Sequence, residues 1–86
     1  MKLELLHLWK CPYSAKVRDH ISELELEDQI QYREIGEDHE ALELLQEKTG
    51  GTQVPCLLID GEPMLESSAI NVWLDHNLKP SPALEI

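Results

Sequence analysis

Residues 3–22 read LELLHLWKCPYSAKVRDHIS, and the order of residue types in this stretch decides the fold. Leu3 to Trp9 is a short apolar run with neither Gly nor Pro, the pattern of a buried strand. Cys11-Pro12 then opens a helix, because proline is tolerated at the first helical position and has its φ already set. Val17, Ile21 and Leu24 recur at helical spacing through about residue 26, with Lys16, Arg18, Asp19 and Glu23 facing outwards. Cys11 therefore stands where a strand hands over to a helix.

The rest of the chain follows from that start. Ile30 to Ile35 reads as a second strand, polar enough to lie at a sheet edge. Asp38 can cap a helix that carries Ala41, Leu44 and Leu45, and Gly50-Gly51 stops it. Val54 to Ile59 is a third strand, and Asp60-Gly61 a two-residue turn into a short fourth strand at Met64 and Leu65. Ser67 is the expected cap of a last helix with Ile70, Trp73, Leu74 and Leu78 on its core face, ended by Pro80 and Pro82. The order is β-α-β-α-β-β-α. A strand–helix–strand start implies a parallel pair, and the hairpin adds an antiparallel one. The expected α/β product is a four-stranded mixed sheet with helices on both faces and a ligand crevice at the strand ends.

Eighty-six residues suffice for one domain, expected to span 1–86; a second core would need roughly 50 residues more. Apolar residues make up 42% and charged residues 28%, which argues for a globular chain over a disordered one. No apolar run reaches the ~18–20 residues of a membrane span, and MKLELLHLW lacks the features of a signal peptide. A formal net charge of −10 disfavours nucleic acid and anionic lipid as partners. Lys10, Lys16 and Arg18 nonetheless cluster within nine residues, a candidate anion site against the simpler reading of scattered surface charge. Two cysteines are too few for a secreted disulfide framework, so free thiols in a reducing cytoplasm are expected.

Cys11 is the residue with chemistry. At a helix start, unpaired amides and the helix dipole favour an anion, so a thiolate is stabilised there. Lys10 beside it should act in the same direction. A thiolate is both the nucleophile and the leaving group of thiol–disulfide exchange, so a lowered pKa matters twice.

Cys11-Pro12-Tyr13-Ser14 resembles the Cys-Pro-Tyr-Cys motif of glutaredoxins, which share the thioredoxin-like fold with the N-terminal domain of glutathione transferases. Thr52-Gln53-Val54-Pro55 is similar to the family segment whose proline is cis. In that family the segment presents the residue before the proline, here Val54, to the cysteinyl part of glutathione. Glu66-Ser67-Ser68-Ala69-Ile70 resembles the transferase motif that holds the γ-glutamyl group. A helix start suits that group's carboxylate, and Glu66 suits its ammonium. The resemblance covers about residues 3–78. It implies a glutathione-dependent oxidoreductase with glutathione as co-substrate and glutathionylated or disulfide-containing substrates. Cys11 would be catalytic, and Lys10, Tyr13, Gln53, Val54, Pro55, Glu66 and Ser67 would bind glutathione.

Two departures refine what the resemblance implies. Ser14 replaces the second cysteine of the motif, which leaves a monothiol route through Cys11. Leu8 stands where glutaredoxins often carry a basic residue, so Lys10 or Gln53 must serve the glycyl carboxylate. Two other readings stay open: a glutathione-binding module of a transferase-like protein, and an iron–sulfur carrier sharing a cluster through Cys11. Cys56 is read as a small buried hydrophobe, with a resolving thiol as its alternative. His7 is read as a satisfied core or edge residue, and the four histidines show no metal-ligand spacing, so no metal is expected.

Overall fold

In the computed structural model, which describes residues 1–79, strand β1 spans Leu3–His7, helix α1 Pro12–Glu23 and strand β2 Gln31–Glu34. Helix α2 follows at His39–Thr49, then strands β3 at Cys56–Ile59 and β4 at Glu62–Leu65, and helix α3 at Ser67–Asn77. The strand order is β2-β1-β3-β4, with β1 and β2 parallel and the other pairs antiparallel. This is the mixed sheet of the thioredoxin-like fold. Both edges suit their positions: β2 is polar, and β4 carries Pro63, which has no amide to give to a further strand.

Strand alternation builds two cores from one sheet. Leu3, Leu5 and Leu57 face α1 and α3, where they meet Val17, Ile21, Ile70 and Leu74. Leu6, Cys56 and Leu58 face the other way, against Ala41 and Leu45 of α2. Trp73 and Leu78 pack partly buried against the first core. The buried Glu4 of β1 is held by Arg33 Nη1 at 3.0 Å from the neighbouring strand. Among the described residues no helix is long and apolar enough to cross a membrane.

Several ends match local sequence signals. Asp38 caps α2, accepting from the Ala41 amide at 3.0 Å, and Gly50 closes it at φ 77°. Asp60 and Gly61 both take positive φ in the hairpin turn, as a turn that follows strand twist requires.

Other ends differ from expectation: β1 stops at His7 rather than Trp9, and β2 spans Gln31–Glu34 rather than 30–35. Helix α1 stops at Glu23, short of residue 26, because Glu25 turns into the left-handed region at φ 56°. The amides of Glu25 and Leu26 then bond to Ser22 O and Ile21 O, a Schellman closure that drops Leu26 into the core beside Ile21. Strand β3 begins at Cys56, since Val54 and Pro55 form the bend before it. Ser67 does not cap α3. Glu66 occupies that position at φ 74° without a side-chain cap bond, and Ser67 is already helical. The expectation for Pro80 and Pro82 lies outside the described residues.

Candidate active site

Cys11 is the N-cap of α1, with extended backbone at φ −82° and ψ 120°. Its amide bonds to Leu8 O at 3.1 Å, closing a tight turn after β1, and its carbonyl accepts the Ala15 amide at 3.0 Å. The side chain is therefore presented at the positive end of the helix, partly open to solvent. Partial burial pushes the Cys11 thiol up, but the Ser14 amide and hydroxyl, the Tyr13 amide and the Arg18 charge outweigh it; the net shift is downward. The cation that favours the thiolate is thus Arg18, where sequence reasoning pointed to Lys10.

Ser14 is fully buried. Its Oγ accepts the Leu8 amide at 3.3 Å, which leaves the hydroxyl proton for the Cys11 sulfur. The residue in the second motif position thus acts as a donor to the thiolate rather than as a second thiol.

Arg18 reaches back under the turn. Its Nη1 donates to Leu8 O at 3.1 Å and to His7 Nδ1 at 3.0 Å, and its Nη2 donates to Trp9 O at 3.2 Å. The guanidinium also lies 4.7 Å from the centroid of the Trp9 ring. A guanidinium has no acceptor, so His7 Nδ1 accepts and the neutral ring carries its hydrogen on Nε2. His7 is buried in a central strand, and Nε2 has no hydrogen-bond partner among the described residues, so the expected satisfied histidine is satisfied at one nitrogen only. Arg18 thus lies under the turn, not on the outward face that helical spacing predicts for it.

A cavity of about 490 Å³ opens beside the thiol, lined by Tyr13, Lys16, Gln53, Val54, Pro55, Glu66, Ser67 and Ser68. The Val54–Pro55 peptide bond is cis. Cys11 Sγ lies 4.0 Å from Val54 O. At the opposite wall, the left-handed backbone of Glu66 starts α3, whose first intrahelical bond runs from the Ile70 amide to Glu66 O at 3.0 Å. The amides of Ser67, Ser68 and Ala69 are left without intrahelical acceptors, as at any helix start. Gln53 Nε2 donates to Glu66 Oε1 at 3.3 Å, tying the two walls together.

The fold thus gathers Tyr13, Gln53, Val54, Pro55, Glu66 and Ser67 around one cleft next to Cys11. Lys10 is exposed and does not line it, and Pro12 is exposed at the first turn of α1. Lys16 lines the cleft instead, its Nζ 5.4 Å from the centroid of the Tyr13 ring. Lys16 and Ser68 were not among the sequence candidates for the cleft. The cation cluster at 10, 16 and 18 was the available signal for Lys16; Ser68 lay within the third motif. Cys56 is fully buried on the α2 side, and burial pushes its thiol up to about 11.

The sequence matches the profile of the glutathione S-transferase N-terminal domain over residues 5–82. The chain belongs to this family. A rice glutathione S-transferase solved in complex with glutathione is 32% identical with a TM-score of 0.70, the match covering 86% of this chain and 32% of that one. E. coli glutaredoxin is 28% identical with a TM-score of 0.61, covering 91% of this chain and 98% of that one. Glutathione transferase Omega 3C from Trametes versicolor gives a TM-score of 0.75 at 22% identity, covering 95% and 36%, a likeness of fold. No curated protein matches the sequence. The chain spans about a third of the length of the glutathione transferases it matches. A domain of this family, structurally similar to both transferases and glutaredoxins, has a glutathione-related thioredoxin fold.

Proposed function

We propose that this domain catalyses glutathione-dependent thiol–disulfide exchange by a monothiol route through Cys11. The observation that carries the reading is the thiol at the start of α1, its pKa lowered by the Ser14 and Tyr13 donors and Arg18, beside a cleft of ligand size. The Cys11 thiolate attacks the glutathionyl sulfur of a mixed disulfide. The substrate's sulfur–sulfur bond breaks, and its thiolate leaves and takes up a proton. A second glutathione, as thiolate, then attacks the Cys11–glutathione disulfide. Oxidised glutathione departs and the Cys11 thiolate is restored.

In this reading glutathione lies along the cleft. Its cysteinyl backbone meets Val54, and its γ-glutamyl carboxylate sits at the N-terminus of α3 near Ser67 and Ser68, with Glu66 for the ammonium. Lys16 rather than Lys10 faces the glycyl carboxylate. The 28% identity to a glutaredoxin matched over nearly its full length supports the exchange chemistry. Residues 1–86 then act as one glutathione-binding domain, suited to a reducing compartment such as the cytoplasm.

A coupled assay with glutathione, glutathione reductase and a small glutathione mixed disulfide tests the proposal. Turnover that disappears in Cys11→Ser is expected. A specific observation favours a second reading: the family profile and the 32%-identical rice structure belong to transferases, of which this chain spans a third. As the glutathione-binding domain of such a protein, it would bind glutathione without turning over the mixed disulfide.

A further inference from the structure

Arg18 holds the Cys11 turn through three acceptors and the Trp9 ring, yet it does not line the cleft. We infer that Arg18 is the positioning residue of the thiol: its fork clamps the Leu8–Trp9 turn from beneath, and that turn holds Cys11 at the N-terminus of α1. The inference rests on the reading of Cys11 as the reactive thiol.

The linkage is short and continuous. Arg18 lies in the second turn of α1, so it is rigid with respect to the helix that Cys11 caps. From there it donates to two successive carbonyls, Leu8 O and Trp9 O, and stacks on the Trp9 ring. Leu8 O is the same atom that accepts the Cys11 amide, and the Leu8 amide donates to Ser14 Oγ. Leu8 is therefore gripped at both polar groups by the helix that follows it. His7 Nδ1 supplies the third acceptor and locks the guanidinium to the end of β1. Among the described residues, the charged and titratable groups around this clamp include His7 from β1, Lys10 in the turn, Glu27 ahead of β2, Tyr32 and Glu34 from β2, and Cys11 and Asp19 of the helix region. Glu34 Oε2 accepts the Trp9 amide at 2.9 Å, which steadies the other side of the turn.

A planar fork is what this geometry requires. Guanidinium donors diverge in one plane and its face stacks on an indole, whereas an ammonium is a point charge. Arg18→Lys therefore keeps the charge and loses the clamp, which separates positioning from simple electrostatics.

The test is the pH dependence of iodoacetamide alkylation at Cys11, followed by mass spectrometry of the Cys11 peptide in the folded 86-residue chain. It is run on wild type, Arg18→Lys, Arg18→Gln and Lys2→Gln, the last a control for net charge at the far end of β1. Both Arg18 variants should raise the midpoint by about half a unit or more and slow alkylation at neutral pH about threefold or more, while Lys2→Gln leaves both unchanged. Circular dichroism establishes folding. Should Arg18→Gln fail to fold, Arg18→Lys decides alone. A lowered wild-type midpoint that Arg18→Lys does not move overturns the inference and leaves the exchange chemistry standing. A wild-type midpoint at or above ~8.5 overturns the reading of Cys11 as an activated thiol, and the inference with it.

Discussion

Cys11 Sγ lies 4.0 Å from the carbonyl oxygen of Val54, although 43 positions separate the two residues in the chain. Cys11 arrives from the end of central strand β1, and Val54 from the bend that leads into its neighbour β3. Because β1 and β3 are antiparallel, the exit of one strand meets the entrance of the other. Strand pairing therefore brings the helix-start thiol to the wall of the cleft, with no contribution from local sequence.

The thiol should titrate below the free value of ~8.5, and Ser14 should be part of the cause. Ser14→Ala removes the hydroxyl that donates to the sulfur and leaves the Leu8 amide without its acceptor. Its alkylation midpoint should rise relative to wild type; an unchanged midpoint would show that backbone donors suffice. Ser14→Cys should instead permit an internal disulfide with Cys11, seen as a loss of two hydrogens in intact mass after mild oxidation.

The two cysteines should behave oppositely. Cys11→Ser should abolish exchange, since a serine hydroxyl does not ionise near neutral pH. Cys56→Ser should keep most of the activity, because that thiol is fully buried and its pKa is pushed up to about 11. Its unfolding free energy should fall by ~1–3 kcal/mol if the new hydroxyl finds no acceptor. A folded but inactive Cys56→Ser would replace the monothiol route with one through a Cys11–Cys56 disulfide.

Lys16 and Lys10 should also separate. Lys16 lines the cleft and Lys10 does not. Lys16→Gln should raise the KM for glutathione severalfold, up to about fivefold, since an exposed charge pair is worth ~1 kcal/mol at most, and Lys10→Gln should leave it within about twofold. Ser67→Ala should weaken glutathione in calorimetric titration under either functional reading.

Glu25 holds a left-handed conformation at φ 56° to close α1. Glycine adopts that geometry without the side-chain penalty, so Glu25→Gly should stabilise the fold by up to ~1 kcal/mol and raise Tm by a few degrees. A lower Tm would mean that the entropy glycine adds to the unfolded chain outweighs the relief of the turn.

His7 should make stability depend on pH. Burial and the Arg18 charge hold its imidazole below the ordinary range, with Glu34 opposing them. The unfolded chain therefore takes up the proton more readily. The contribution is fully present above the unfolded value of ~6.5 and is lost progressively as pH falls below it. Thermal unfolding should show Tm declining as pH falls below about 6.5. His7→Gln, which does not ionise, should flatten that part of the curve; an equal slope in both proteins would assign it to other groups.

What the sequence determined alone was most of what depends on neighbours along the chain. Apolar spacing separated strands from helices, Asp38 and Gly50 marked the ends of α2, and Asp60-Gly61 marked the hairpin. Cys11-Pro12 located the thiol at a helix start, and three motifs named most of the cleft. The end of α1 escaped because Glu25 takes a left-handed turn that glycine or asparagine would have announced. Glu66 escaped for the same reason, so the cap of α3 was placed one residue late.

Only the tertiary structure decided what the cations and the serine do. Periodicity assigns Arg18 to the outward side of an isolated helix. Its long side chain instead finds three acceptors at the end of β1, an arrangement that exists only once the helix packs against the sheet. The same packing buries Ser14 against the turn, points Lys16 rather than Lys10 at the cleft, and sets Val54 beside Cys11. Local periodicity reports which face a residue occupies. Which partner that face meets is settled by the order and direction of strands, through contacts between residues far apart in the chain.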